Sequence, residues 1–205
     1  MDGPAADIVN DLAQRVRSIK PKARRRLIAI AGPPASGKST FAENLVAALG
    51  PSAALVPMDG FHLDNRLLDA RNLRHRKGAP ETFDVAGFVH MIRRLGTDPI
   101  VTIPVFDRAR DIAIAGASEI TDTTDTAVVE GNYLLLNEAP WTDLHPLWDL
   151  SIFLDVPEET LTNRLTQRWR SHRLSPEDAE SRARLNDLPN ALRVTQDSAK
   201  ADVTL

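Results

Sequence analysis

The chain has 205 residues, a formal net charge of −3 from 25 Lys and Arg against 28 Asp and Glu, 42% apolar residues and no cysteine. That length supports one sizeable core, and the well-mixed charges leave no basic face for a nucleic acid or a membrane surface. Lack of cysteine excludes disulfides, thiolate metal sites and thiol nucleophiles and fits a reducing cytoplasm, and no apolar run reaches membrane-spanning length.

Without repeats or a low-complexity linker, residues 1–205 read as one domain. The first ten residues lack the charged-then-apolar layout of a signal peptide. Within residues 1–20, Ile8, Leu12, Val16 and Ile19 recur at helical spacing, which predicts an amphipathic helix over 7–19 that packs on the domain. The basic run at 22–26 reads as a solvated lead-in to a strand. Residues 27–31 are apolar without alternation, as in a parallel strand covered on both faces.

That strand runs straight into Gly32-Pro33-Pro34-Ala35-Ser36-Gly37-Lys38-Ser39, a match to G-x-x-x-x-G-K-[ST] followed by Thr40. The four fixed positions coincide by chance in on the order of 1% of chains this long, and an ordinary strand-to-helix turn needs neither the Lys nor the Ser. Glycines 32 and 37 let successive N–H groups turn inward around an anion. Lys38 reaches the β- and γ-phosphates, Ser39 offers its hydroxyl to Mg²⁺, and the helix that starts there adds its positive end. A Gly50-Pro51 stop ends this helix. The expected ligand is therefore ATP with Mg²⁺.

A second apolar run at 53–57 empties into Met58-Asp59-Gly60-Phe61-His62-Leu63-Asp64-Asn65. Ligands of open α/β sheets sit outside the carboxyl ends of strands, which places Asp59 where an acceptor would lie. Phosphoryl transfer to an alcohol needs a carboxylate to take the hydroxyl proton, help worth roughly 10²- to 10⁴-fold, or about 3 to 5 kcal/mol. Asp-Gly is also an ordinary turn dipeptide, so these two residues alone serve both readings. His62 is either a polar contact for the acceptor or a histidine satisfied in its own loop.

Residues 63–78 carry Arg66, Arg71, Arg74, Arg76 and Lys77 and read as a solvated segment with one or two functional charges, or as a mobile element over the acceptor pocket. Short β-like runs at 100–105 and 111–115 flank Phe106-Asp107-Arg108, a hairpin pattern beside the pocket. Phe106 then lines the pocket and Arg108 clamps a substrate anion or hydroxyl, unless the first is core and the second merely exposed. Residues 127–130 form the next buried strand, ending in Glu130-Gly131-Asn132-Tyr133, with Asn132 and Tyr133 as acceptor contacts. Trp141 and Trp148 read as packing under a loop. Residues 151–156 make a fourth core strand, and Pro157-Glu158-Glu159 opens a helix. On that helix Leu161 and Leu165 share one face and Arg164 and Arg168 another, before Arg170 and Arg173 in a less regular stretch and a further helix from Ser175. Residues 186–190 are expected near the adenine, and 201–205 as a fifth strand.

These features resemble the uridine kinase, phosphoribulokinase and type I pantothenate kinase superfamily. Asp59-Gly60-Phe61 is similar to the Asp-Gly-Phe of the pantothenate kinases, Pro80-Glu81-Thr82-Phe83-Asp84 to the Pro-x-x-Phe-Asp of uridine kinases, and Pro104-Val105-Phe106-Asp107 to their substrate element. MDGFHLDN, RKGAPETFD, FDR and EGNYLLL resemble a bacterial branch labelled fructose transport system kinases. The resemblance implies a three-layer α/β/α P-loop fold with a mainly parallel five-stranded sheet in the order 2-3-1-4-5, Asp59 as catalytic base and Glu130 holding Mg²⁺ through water. It also implies a lid over about 164–178 whose Arg164, Arg168 and Arg173 meet the phosphates. Uridine kinases carry an acidic residue at the place of Gly78, so this chain departs from a nucleoside site.

The expected activity is ATP-dependent phosphorylation of a small-molecule alcohol, a sugar first, with nucleosides and pantothenate-type alcohols as alternatives. A P-loop hydrolase or switch, or an ATP-binding regulator of a transport system, shares the loop but needs no acceptor pocket.

Overall fold

A computed structural model of the chain describes residues 4–171, 175, 177, 180, 181 and 183–205. The first helix, α1 (Pro4–Ser18), leads to β1 (Arg26–Ala31), which is followed by the phosphate loop and α2 (Lys38–Leu49). Then come β2 (Ala53–Pro57), α3 (Asn65–Ala70), α4 (Val85–Thr97) and the pair β3 (Val101–Asp107) and β4 (Ile112–Ile120). The chain finishes through β5 (Thr126–Glu130), β6 (Leu150–Phe153), α5 (Glu158–Ser171), α6 (Leu188–Asp197) and β7 (Val203–Thr204).

Five strands pair side by side in the order β2-β5-β1-β6-β7, every pairing parallel. With the antiparallel β3-β4 hairpin set apart, this is the expected 2-3-1-4-5 order. The centre strand shows why the sequence lacked alternation. Leu27, Ala29 and Ala31 of β1 pack into a core with α4 and the hairpin, while Ile28 and Ile30 pack into a second core with α1 and α2. Burying each isoleucine contributes about 1.5–3 kcal/mol relative to exposure, so a polar residue anywhere in β1 has no face to occupy.

Several boundaries differ from expectation. Ile8 is 42% exposed, and the buried stripe of α1 is Val9, Leu12, Ala13 and Val16. At 3.6 residues per turn Ile8 lies about 90° round from the centre of that stripe. Residues 63–78 contain a short helix after all, because Asp64 caps α3 by accepting a hydrogen bond from the Arg66 amide at 2.9 Å. The hairpin strands run longer than the apolar runs suggested, β6 stops at Phe153, and α5 continues to Ser171, so Arg170 is helical. The helix expected from Ser175 falls largely outside the described residues.

Register aligns the functional ends. Glu130 at the end of β5 pairs with Ile30 of β1 and with Pro57 of β2, so the phosphate loop, the Asp59 turn and Glu130 emerge together at one edge of the sheet.

Candidate active site

The phosphate loop is shaped by close backbone approach. Gly32 has φ +149°, and a Cβ there would meet the Leu154 carbonyl oxygen at 2.8 Å, so the loop packs against the chain leaving β6 only without a side chain. Gly37, at φ 95°, caps α2 in the left-handed region that glycine tolerates. Lys38 is only 7% exposed, and its Nζ donates to the Pro33 carbonyl oxygen at 2.8 Å. Burial lowers its pKa to about 8, against the opposing pull of Glu130 and Asp59. Glu130 is the counterpart. Burial pushes its carboxyl upward, Lys38 pulls it back, and the Ser39 side chain hydrogen-bonds to it.

Asp59 sits in a 3-10 turn, Met58–Phe61, and its Oδ2 accepts from Arg108 Nη2 at 2.6 Å. Gly60 makes the turn possible against β3, since a Cβ would stand 2.5 Å from the Pro104 carbonyl oxygen. The hairpin that carries Arg108 is thereby pressed onto the Asp59 turn. His62 is held between Phe83 and Phe106, with ring centroids 4.1 and 4.6 Å away, and its Nδ1 lies 2.8 Å from the Asp59 carbonyl oxygen. A carbonyl only accepts, so Nδ1 carries the proton. Desolvation lowers the His62 pKa, and the ring is neutral with Nε2 as an acceptor.

A cleft of about 1040 Å³ joins these groups. Of the expected residues, Pro34, Ala35, Gly37, Lys38, Ser39 and Thr40 line it at the nucleotide end, with Arg168. Asp59, His62, Phe106, Arg108, Glu130 and Asn132 line it as well. Gly32, Pro33 and Ser36 are buried behind the loop and shape it. Arg164 does not line the cleft; it is exposed and donates to the Ala35 carbonyl oxygen at 3.2 Å. Tyr133, expected at the acceptor, is fully buried against Phe83 and Trp141. Its hydroxyl, held protonated by burial, donates to the Gly78 carbonyl oxygen at 2.5 Å, so it supports from behind the loop of residues 77–84, called the acceptor loop for its expected role. Arg173 lies outside the described residues.

Other groups, named in the sequence without partners, find them here. Lys77 donates to Asn65 Oδ1 at 2.8 Å, to the Asp111 carbonyl oxygen at 2.9 Å and to Asp111 Oδ1 at 2.8 Å, and it stands 5.2 Å over the Phe106 ring. It ties α3, the acceptor loop and the hairpin tip together. Asp111 has φ 56°, a strained value for a non-glycine, but spacing alone does not pair it with a lysine 34 residues away. The segment expected beside the adenine packs on the acceptor loop: Asn186 Nδ2 donates to the Lys77 carbonyl oxygen at 3.2 Å, and Asp187 and Asn190 line the cleft.

The family profile described as phosphoribulokinase/uridine kinase matches residues 27–179. The Escherichia coli K12 protein YggC, whose function is uncharacterized, is 36% identical over 193 residues, covering 92% of this chain and 80% of its own. A Schizosaccharomyces pombe protein provisionally named a uridine kinase is 30% identical over 218 residues, covering 100% of this chain and 93% of its own. A crystal structure from Silicibacter sp. TM1040, provisionally named a fructose transport system kinase, superposes at TM-score 0.92 with 47% identity over 100% of both chains.

Proposed function

The chain belongs to the phosphoribulokinase/uridine kinase family of small-molecule kinases, and we propose that it moves the γ-phosphate of Mg-ATP to a hydroxyl of an uncharged, sugar-like metabolite in the cytoplasm. The observation that carries the acceptor class is the pairing of the cations in the acceptor half of the cleft. Lys77 is held on Asp111, Arg74 on Asp69 and Arg108 on Asp59. An anionic acceptor would have to win these cations from their carboxylates, at greatest cost at the nearly buried Lys77, where a charge-assisted hydrogen bond is worth about 1.5–3 kcal/mol, whereas a neutral hydroxyl exchanges bonds evenly. The name of the Silicibacter relative, which refers to fructose transport, supports the same class.

In this reading Lys38 and the loop amides hold the phosphates, and Arg168 and Arg173 add positive charge, with Arg164 steadying the loop through Ala35. Asp59 takes the acceptor proton as its oxygen attacks the γ-phosphorus and the bond to the β-phosphate oxygen breaks. His62, Phe106, Arg108 and Asn132 surround the acceptor. The donor set beside Lys38 is oxygen only, a hydroxyl on Ser39 and a desolvated carboxylate on Glu130, and no cluster of three metal-ligating side chains occurs among the described residues. That fits Mg²⁺, which takes one or two protein oxygens and fills its shell with phosphate and water. Bound there, it supplies charge neutralisation between the β- and γ-phosphates.

The test is ADP release from Mg-ATP with D-fructose, other neutral sugars, uridine, pantothenate and D-glycerate, run beside Asp59→Asn. Turnover should rise with a neutral sugar and fall roughly 10²- to 10⁴-fold in the variant, with nucleotide affinity nearly unchanged. Equal slow ADP release with every acceptor, variant included, would replace the kinase reading with a hydrolase or switch.

A further inference from the structure

Helix α6 lies along the acceptor loop. Just before it, in the π-helical turn Ala183–Asp187, Asn186 donates to the Lys77 carbonyl oxygen at 3.2 Å. Further along, Arg193 Nη1 approaches Glu81 Oε2 at 3.6 Å. Asn190 falls between these contacts, three residues before Arg193 in α6 and so on the same side of that helix. It lines the cleft together with Lys77 and Gly78.

Asn190 is 3% exposed and lines the cleft. Two cations of the same cleft are committed elsewhere: Lys77 has three acceptors and Arg108 has Asp59. The Asn190 carboxamide has no hydrogen-bond partner among the described residues. A carboxamide that lines a cleft without a protein partner can exchange water for a ligand's hydroxyl at little cost. Across the acceptor loop, the neutral His62 ring offers Nε2 as a bare acceptor. Asn190 thus gives both a donor and an acceptor, His62 an acceptor alone, and neither of these two side chains carries charge.

We propose that Asn190 is a specificity-determining residue of the acceptor site, where its carboxamide binds a hydroxyl, or a pair of adjacent hydroxyls, other than the one phosphorylated. This rests on the kinase reading above and narrows its substrate to polyhydroxylated, uncharged acceptors. A pair of neighbouring hydroxyls suits a carboxamide because each hydroxyl both donates and accepts, matching the amide oxygen and NH₂ group. A site built around such bonds rejects an analogue that lacks the hydroxyl, since the buried amide is then left without a partner.

The experiment compares wild type, Asn190→Ala and the near-isosteric Asn190→Asp. It measures KM and kcat for D-fructose and its monodeoxy analogues, and the Kd of Mg-ADP by calorimetry. Loss of the amide should raise the KM for fructose about ten- to hundredfold, with kcat and the Mg-ADP Kd within a few-fold. One deoxy analogue should be used equally by wild type and Asn190→Ala, because the partner hydroxyl is already gone. An unchanged acceptor KM in both variants overturns the assignment. So does a weakened Mg-ADP Kd with unchanged acceptor KM, which would put Asn190 beside the base. Wild-type turnover of uridine or pantothenate in place of any sugar sinks the sugar reading by itself, while the variant-to-wild-type KM ratio for that acceptor still decides the role of Asn190.

Discussion

Lys38 should make nucleotide affinity depend on pH in a range where lysines are normally silent. Its pKa in the nucleotide-free protein is lowered to about 8, chiefly because it is buried. Only the ammonium form attracts phosphates, and a bound triphosphate restores the charge. The protonated fraction in the free protein is roughly 0.9 at pH 7 and roughly 0.1 at pH 9. Affinity for Mg-ATP should therefore fall about tenfold between those values, or ~1.4 kcal/mol, with uptake of about half a proton per site at pH 8. The same depression has a sign for stability. Between pH 8, the folded value, and pH 10.5, the ordinary one, the unfolded chain binds more protons, so nucleotide-free stability rises with pH across that window. Below it the buried charge costs on the order of 3 kcal/mol, which bound phosphates offset. Calorimetry of acceptor-free Mg-ATP binding in two buffers of different ionisation enthalpy measures both affinity and proton uptake. A flat profile from pH 7 to 9 without proton uptake would refute the reasoning, as would the same profile in Lys38→Met.

Two packing predictions bear on the acceptor half. Gly60→Ala places a Cβ 2.5 Å from the Pro104 carbonyl oxygen, a backbone atom that moves only if the hairpin moves. It should cost about 1–3 kcal/mol in thermal melts and lower turnover by shifting Arg108 from Asp59; unchanged melting and activity would contradict that packing. Tyr133→Phe removes the donor to the Gly78 carbonyl oxygen while keeping the ring among Phe83 and Trp141. A loss of about 1–3 kcal/mol is expected, read as a lower Tm, and a neutral result would mean that the hydroxyl does not brace the loop.

The parts of this molecule legible in the sequence are those whose cause is local. The phosphate loop needs particular residues at adjacent positions, and β1 must be apolar throughout because both its faces are covered. The ends of β2 and β5 show themselves the same way, so Asp59 and Glu130 could be placed at strand ends before their register was known. Tyr133 shows the limit. It follows Glu130-Gly131-Asn132 directly, yet its ring turns into the aromatic cluster, a direction that neighbouring residues do not encode. Lys77 and Asp111, or Asn186 and the acceptor loop, meet across 34 and 109 residues, and each residue alone resembles any solvated polar side chain. Asn190 left the weakest trace, since a helical asparagine is ordinarily a surface residue and only the packing of α6 makes it buried.

The ion pairs of the cleft divide by exposure, and that division separates its working parts from its frame. The Lys77 side chain is 9% exposed and has three acceptors, so exchanging its partners would strand a desolvated ammonium. Arg108 pairs with Asp59 at 2.6 Å, but its side chain is 58% exposed, and such a pair contributes no more than about 1 kcal/mol. An acceptor hydroxyl that approaches Asp59 therefore displaces a weak partner, one that water can receive. The pair still holds the carboxylate oriented. Arg108 comes from the hairpin and Asp59 from the turn after β2, so this weak contact adds to the core packing of Val101, Ile103 and Ile120 that holds the antiparallel pair on the sheet. Lys77 keeps the wall of the cleft fixed while that one bond changes hands. A site arranged in this way admits an uncharged acceptor without unpairing any buried charge, which is the energetic reason to expect a polyol there before an acid.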